Sequence, residues 1–202
     1  MNTEDVMKVG VISDTHGCVQ TWRQIYAAYL YDADLIIHAG DVLYHGPRNA
    51  IPAEYNPREL AQELNACKTP LVVVKGNCDA EVDQMLLDMP LTESSLLYLN
   101  GLRIFVRHGH DLATGQAAAL VHRYKPDIFI TGHTHVPVLQ RNAGTLLLNP
   151  GSPAMSKRED GEGSLALIED NVVKIFAAAS GKALYELPLP ARLEGYAGDR
   201  RE

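Results

Sequence analysis

Three apolar runs in the first half of the chain, Val9–Ile12, Leu35–Ala39 and Leu71–Val74, each stop at a turn and are followed by a helical stretch. Short runs of this kind, without polar alternation, fit strands buried on both faces. The βαβαβ rhythm points to a parallel sheet with helices packed on it. Spacing in Val19–Leu30 places Trp22, Ile25, Tyr26 and Tyr29 on one side of a helix. Asn56-Pro57-Arg58-Glu59 predicts a helix start, with Asn at the cap, Pro first and Glu third, and the helix runs to Ala66. A short helix is expected over Asp79–Leu87.

The pattern then changes to hairpins. Leu96–Leu99 and Leu102–Val106 flank Asn100-Gly101, a dipeptide suited to a two-residue type I′ turn. Gln116–Tyr124 reads as a helix and Ile128–Thr131 as a strand. Val136–Gln140 and Thr145–Leu148 flank a turn at Asn142–Gly144, and Leu165–Ile168 and Val172–Phe176 flank Asp170-Asn171. Repeats, low-complexity tracts and linkers are absent, so residues 1–202 read as one α/β domain of two stacked sheets with helices outside. Pro188–Glu202, with two prolines and then charge, is expected to be a loosely attached tail.

Each strand end carries residues able to ligate a metal. They are Asp14-Thr15-His16, Gly40-Asp41, Gly76-Asn77, His108-Gly109-His110 and Gly132-His133-Thr134-His135. Taken singly, each is as well read as an ordinary turn. Together they place five of the eight histidines at strand ends, where α/β sheets build their sites. Carboxylate, imidazole and amide oxygen make a hard-to-borderline donor set sufficient for two divalent cations. Gly40, Gly76, Gly109 and Gly132 each adjoin a candidate ligand, where a tight turn lets backbones approach. His38, inside a strand, reads as a hydrogen-bonded core histidine, and His122 as a surface residue of a helix.

The formal charge of −7 argues against a binder of long nucleic acid that relies on a basic face. A small phosphorylated ligand remains compatible, because bound metals reverse the local sign. Only 6% of the chain is aromatic, so aliphatic side chains must fill the core. Cys18, Cys67 and Cys78 form no framework, which suits reduced thiols and a cytoplasmic setting. Met1 to Lys8 is too polar for a signal peptide, and no apolar run is long enough to span a membrane.

The full motif set, with Asp79 two residues after Asn77, resembles the calcineurin-like metallophosphoesterase superfamily over nearly the whole chain, to about Phe176. Gly40–Leu43, His45–Ala50, Gly76–Asp79, Glu81–Leu87 and Asn149-Pro150-Gly151-Ser152 are most similar to the bacterial YfcE-type phosphodiesterases. The resemblance implies a four-layer αββα sandwich of two mixed β-sheets. It also implies two divalent metal ions, manganese first, with Fe, Zn, Ni or Co as alternatives. Asp14, His16 and His135 would hold one ion, and Asn77, His108 and His133 the other, with Asp41 bridging. Asp79 would orient neighbours by hydrogen bonds, and His110 would stand near the chemistry.

The implied reaction is phosphodiester hydrolysis by a water or hydroxide bridging the cations, with no enzyme nucleophile. Arg48, in the turn-rich stretch after Asp41, is a candidate for the substrate phosphate, with Asn49 and Tyr44 as further donors. Many superfamily members carry a histidine where this chain has Cys78, and a neutral thiol is a poor leaving-group acid. Cys78 itself reads as a small buried space-filler. His110 and His45 are the alternative proton donors. The rival functions are a phosphomonoesterase or protein phosphatase of the same superfamily, and a non-catalytic scaffold like the retromer subunit. The expected partner is a small phosphodiester, and the second-half hairpins leave room for a homo-oligomer.

Overall fold

The computed structural model describes residues 7–113 and 115–190. Two mixed sheets lie face to face. The first contains β1 (Val9–Ile12), β2 (Leu35–His38), β3 (Leu71–Val74), β4 (Leu91–Thr92), β10 (Ser164–Glu169), β11 (Val172–Ala177) and β12 (Ala183–Pro188), in the order β12-β11-β10-β1-β2-β3-β4. Strands β1 to β4 pair parallel, and β1 pairs antiparallel with β10. The second contains β5 (Ser95–Leu99), β6 (Leu102–Val106), β7 (Ile128–Ile130), β8 (Val138–Asn142) and β9 (Thr145–Asn149), in the order β5-β6-β7-β9-β8.

The main core is the aliphatic layer between the sheets. Val9, Val11, Ile37 and Ile168 of one sheet meet Ile104, Val106, Ile128 and Leu148 of the other. Alternation sends Ile12, Ile36, Val73 and Leu165 to the opposite face. There they pack on α1 (Val19–Ile25) and α2 (Pro57–Asn65) through Trp22, Ile25, Leu60 and Leu64. Beyond the second sheet lies α4 (Gln116–Tyr124), which has no fully buried residue. Its Tyr124 stacks on Phe105 of β6 with ring centroids 4.5 Å apart. The four layers are therefore helix, sheet, sheet, helix, as the motif set implied.

Local chemistry accounts for most boundaries. Asn56 caps α2 by accepting from Glu59 N at 3.2 Å, and its amide donates to the Glu59 carboxylate. Asn100 and Gly101 both have positive φ, 47° and 77°, as a type I′ turn requires. Asp170 and Asn171 do the same at 51° and 61°.

Three expectations need correction. The helix predicted over Val19–Leu30 turns π-helical at Tyr26–Leu30, and Leu30 there fills the space above Gly10. The helix predicted over Asp79–Leu87 shrinks to α3 (Glu81–Gln84), because Asp79 spends its carboxylate on three backbone N–H groups and Asp83 folds back on Ala80 N. The tail does not begin at Pro188. Pro188 ends β12 and its carbonyl accepts from Arg141, while Leu189 N donates to Asn171 O at 2.7 Å. The tail beyond residue 190 lies outside the described residues. Strand β12 escaped the sequence reading because Tyr185, Glu186 and Pro188 break the apolar pattern, as edge strands tolerate.

Candidate metal centre

The ends of β1, β2, β3, β6 and β7 meet at one edge of the sandwich, and their turns are tied to one another. Asp14 N donates to Gly40 O at 2.9 Å, His16 N to Asp41 O at 3.1 Å, and Gly132 N to His108 O at 2.9 Å. Five of the candidate ligands have left-handed backbone: Asp14 (φ 57°), His16 (46°), Asp41 (58°), His133 (69°) and His135 (59°). Each such position costs about 1 kcal/mol or more in a non-glycine residue. The strain concentrates where side chains must turn inward from several strands at once. Two glycines make the approach possible. A Cβ on Gly76 would stand 2.1 Å from Asp41 Oδ1, and one on Gly132 would stand 1.9 Å from Ser13 Oγ.

The donor atoms fall into overlapping sets. Asp14, His16 and His135 form one, Asp41, His108 and His133 another, and His16, Asp41 and Cys78 a third. Within each set the donor atoms lie within 4.8 Å of one another. The hydrogen bonds aim them. His16 Nδ1 lies 2.6 Å from Tyr44 O, His108 Nδ1 2.7 Å from Ala39 O, and His135 Nδ1 2.6 Å from Met155 O. A carbonyl only accepts, so each Nδ1 carries a proton and each Nε2 is presented to the site. His16 Nε2 and His135 Nε2 stand 3.2 Å apart.

Both carboxylates divide their oxygens in the same way. Asp14 Oδ2 accepts from His133 N and Asp41 Oδ1 from Cys78 N. The other oxygens face the imidazoles: Asp14 Oδ1 is 3.2 Å from His135 Nε2, and Asp41 Oδ2 is 3.3 Å from His108 Nε2. Asp14 Oδ1 and His108 Nε2 are buried without a hydrogen-bond partner among the described residues. Orphaned buried polar atoms are costly, and a cation in each of their two donor sets would satisfy them. Burial disfavours charge on His108, but the Asp41 and Asp14 carboxylates outweigh it and push it up to about 9. Burial also opposes charge on Asp41, yet His108 holds its carboxyl below the usual carboxylate range.

The remaining sequence candidates divide. Asn77, Arg48, Asn49 and His110 line the same cavity of about 410 Å³ as His16, Asp41, His133 and His135. Asp79 stands behind it, accepting from Asp41 N, Val42 N and Gly76 N, all at 2.8 Å. Tyr44 contributes its backbone carbonyl to His16, and His45 sits edge-on between Tyr44 and Tyr55. Cys78 is no core filler. It is half-buried on the cavity wall, because Asn77 and Cys78 form the turn that passes in front of Asp41. Burial and the Asp41 carboxylate push its thiol up to about 12. Lys157 also lines the cavity and was missed. Its only sequence signal is a cation shortly after the Asn149–Ser152 turn.

His38 is the core histidine its strand position predicts. Gly40 N donates to its Nδ1 at 3.2 Å, so Nε2 carries the proton toward Thr15 Oγ1 at 2.9 Å, and Thr15 donates to Val42 O. Burial lowers its pKa from 6.5 to about 4. The unfolded chain then takes up a proton near pH 6.5 and the folded chain only near 4, so stability is lost as pH falls through that window. In the presence of chelator, wild type is expected to lose roughly 2 to 3 kcal/mol more between pH 7 and 4.5 than His38→Gln. Denaturant melts at both pH values check this; equal losses would contradict it.

A model of the calcineurin-like phosphoesterase superfamily domain matches residues 7–171. The chain belongs to that superfamily. It is 34% identical over 174 residues to phosphodiesterase YfcE of Escherichia coli K12, covering 85% of this chain and 92% of the relative. It is 28% identical to the probable metallophosphoesterase YsnB of Bacillus subtilis, covering 90% and 96%. Among solved structures, the E. coli phosphoesterase Yfce superposes with a TM-score of 0.79 at 30% identity, covering 91% of this chain and all of that one. Vacuolar protein sorting 29 from Cryptosporidium parvum shares the fold, with a TM-score of 0.66 at 20% identity and coverage of 91% and 98%. In this phosphoesterase chain, the turns bring Asp14, His16, Asp41, His108, His133 and His135 into overlapping donor sets, and Asn77 lines the same cavity.

Proposed function

We propose that this chain is a metal-dependent phosphodiesterase acting on a small phosphodiester. The observation that carries the reading is the pair of buried orphans, Asp14 Oδ1 and His108 Nε2, at the meeting point of the two histidine–carboxylate sets. Asp14, His16 and His135 would hold one divalent cation. Asn77, His108 and His133 would hold the second, with Asp41 available to both. The Asn77 amide nitrogen is 3.3 Å from Cys78 Sγ, which leaves its oxygen for the cation. Manganese suits the mixture of oxygen and imidazole donors, and Fe, Zn, Ni and Co suit it too. Held there, two divalent cations would supply positive charge beyond the Asp14 and Asp41 carboxylates, for activating a water and for balancing charge on the phosphoryl oxygens.

The chain's own residues position and bind. Asp79 fixes the Asp41 and Gly76 backbones, so the two strand-end turns cannot drift apart. Arg48 and Lys157 offer cationic groups on the cavity wall to a phosphate. A Cys78 thiol held near 12 is a weak proton donor, which favours esters whose leaving oxygen needs little help. His110, exposed on the wall with its ring centroid 5.6 Å from that of His108, is the available alternative donor. The three free cysteines suit a cytoplasmic setting.

Hydrolysis of an aryl phosphodiester and the matching monoester, with manganese and with chelator, tests the reading. The expected result is diester cleavage that exceeds monoester cleavage and disappears on chelation. Diester cleavage that survives complete metal removal contradicts the mechanism. Monoester activity equal or greater would replace it with a phosphatase. Inactivity on both, with cations bound, would favour a scaffold role.

A further inference from the structure

A second cavity, of about 620 Å³, adjoins the metal site and shares Lys157 with it. His135 lines the first cavity and its neighbour Val136 lines the second. The backbone locks this boundary in place. Lys157 N donates to His135 O at 3.2 Å, and Met155 O receives the His135 Nδ1 proton at 2.6 Å. The segment that orients a candidate ligand therefore also presents Lys157 between the two spaces. Pro137, Leu184 and Tyr185 also line it, with Tyr185 45% exposed on the edge strand β12. Glu159 adds a carboxylate. Arg158 is engaged with Asp160 and Glu162 O, whereas Lys157 makes no ion pair among the described residues.

We propose that this second cavity receives a nucleoside carried on one ester oxygen of the substrate, a deepening that rests on the phosphodiesterase reading. Tyr185 supplies a face on which any base can stack. Glu159 accepts from sugar hydroxyls, and Lys157 meets the phosphate between the cavities. A long acyl arm fits poorly, because Lys157, Arg158, Glu159 and Asp160 all border the space.

Calorimetric titration of the manganese-loaded protein with thymidine 5′-monophosphate and with methyl phosphate tests this independently of turnover. The nucleotide is expected to bind about tenfold tighter or more, the size of a base–aromatic stack. Tyr185→Ala should remove most of that preference, and Tyr185→Phe should keep it. Equal affinities in wild type, or an unchanged preference in Tyr185→Ala, would overturn the proposal. Diester hydrolysis measured on the same samples reports separately on the phosphodiesterase reading. Inactivity there with the nucleotide preference intact sinks that reading and with it the role of the cavity in catalysis.

Discussion

Asp41→Asn is expected to lower kcat/KM for an aryl phosphodiester about a thousandfold or more while the protein stays folded. Asp41, like His16, belongs to two of the donor sets, and it is the carboxylate whose Oδ2 faces both His16, at 3.8 Å, and His108, at 3.3 Å. Asn keeps one carbonyl oxygen, which can still accept from Cys78 N as Asp41 Oδ1 does at 2.8 Å. The turn therefore survives, and the amide presents N–H groups toward the cation sites instead of negative oxygen. Loss of the neighbouring carboxylate also removes the largest influence raising the pKa of His108. Steady-state kinetics beside a thermal melt checks the prediction. Turnover within a few-fold of wild type would mean that Asp41 does not join the two halves of the site.

Asp79→Asn is expected to cost about 2 kcal/mol or more of stability, although it changes one atom. Oδ2 of Asp79 accepts from both Asp41 N and Gly76 N, and Oδ1 from Val42 N. An amide has a single acceptor oxygen, so its NH₂ group must face at least one backbone N–H, and that buried donor is orphaned. The damage does not stay local. Val42 N leads directly from Asp41, and Gly76 lies against it so closely that a Cβ there would stand 2.4 Å from Asp41 N. Weaker manganese binding should accompany the lost stability. Denaturant unfolding of the variant decides the matter; a stability equal to wild type would leave Asp79 without its bracing role.

Much of this site was legible because strands deliver residues to known places. Asp14, Asp41, His108 and His133 each follow an apolar run, and a run buried on both faces can only end at the edge of a sandwich. The Asn-Gly hairpin and the Asn56 cap were legible for a similar reason, since their backbone demands restrict the residue type. What sequence could not supply is whatever any residue could provide. The carbonyls of Ala39, Tyr44 and Met155 set the tautomers of three candidate ligands, yet every residue has a carbonyl. Lys157 and Tyr185 come from a loop and an edge strand, where polar and apolar residues alternate without a core to discipline them. Cys78 was misplaced because its size and polarity suit a core, and only the turn geometry around Asn77 puts it on the wall.

The central claim, two cations joined by Asp41, is tested most directly by titrating chelator-treated protein with manganese in a calorimeter. Two equivalents bound per chain in wild type, falling to one or fewer in Asp41→Asn, is the expected result. No tight binding in wild type, or two equivalents in both proteins, would contradict it.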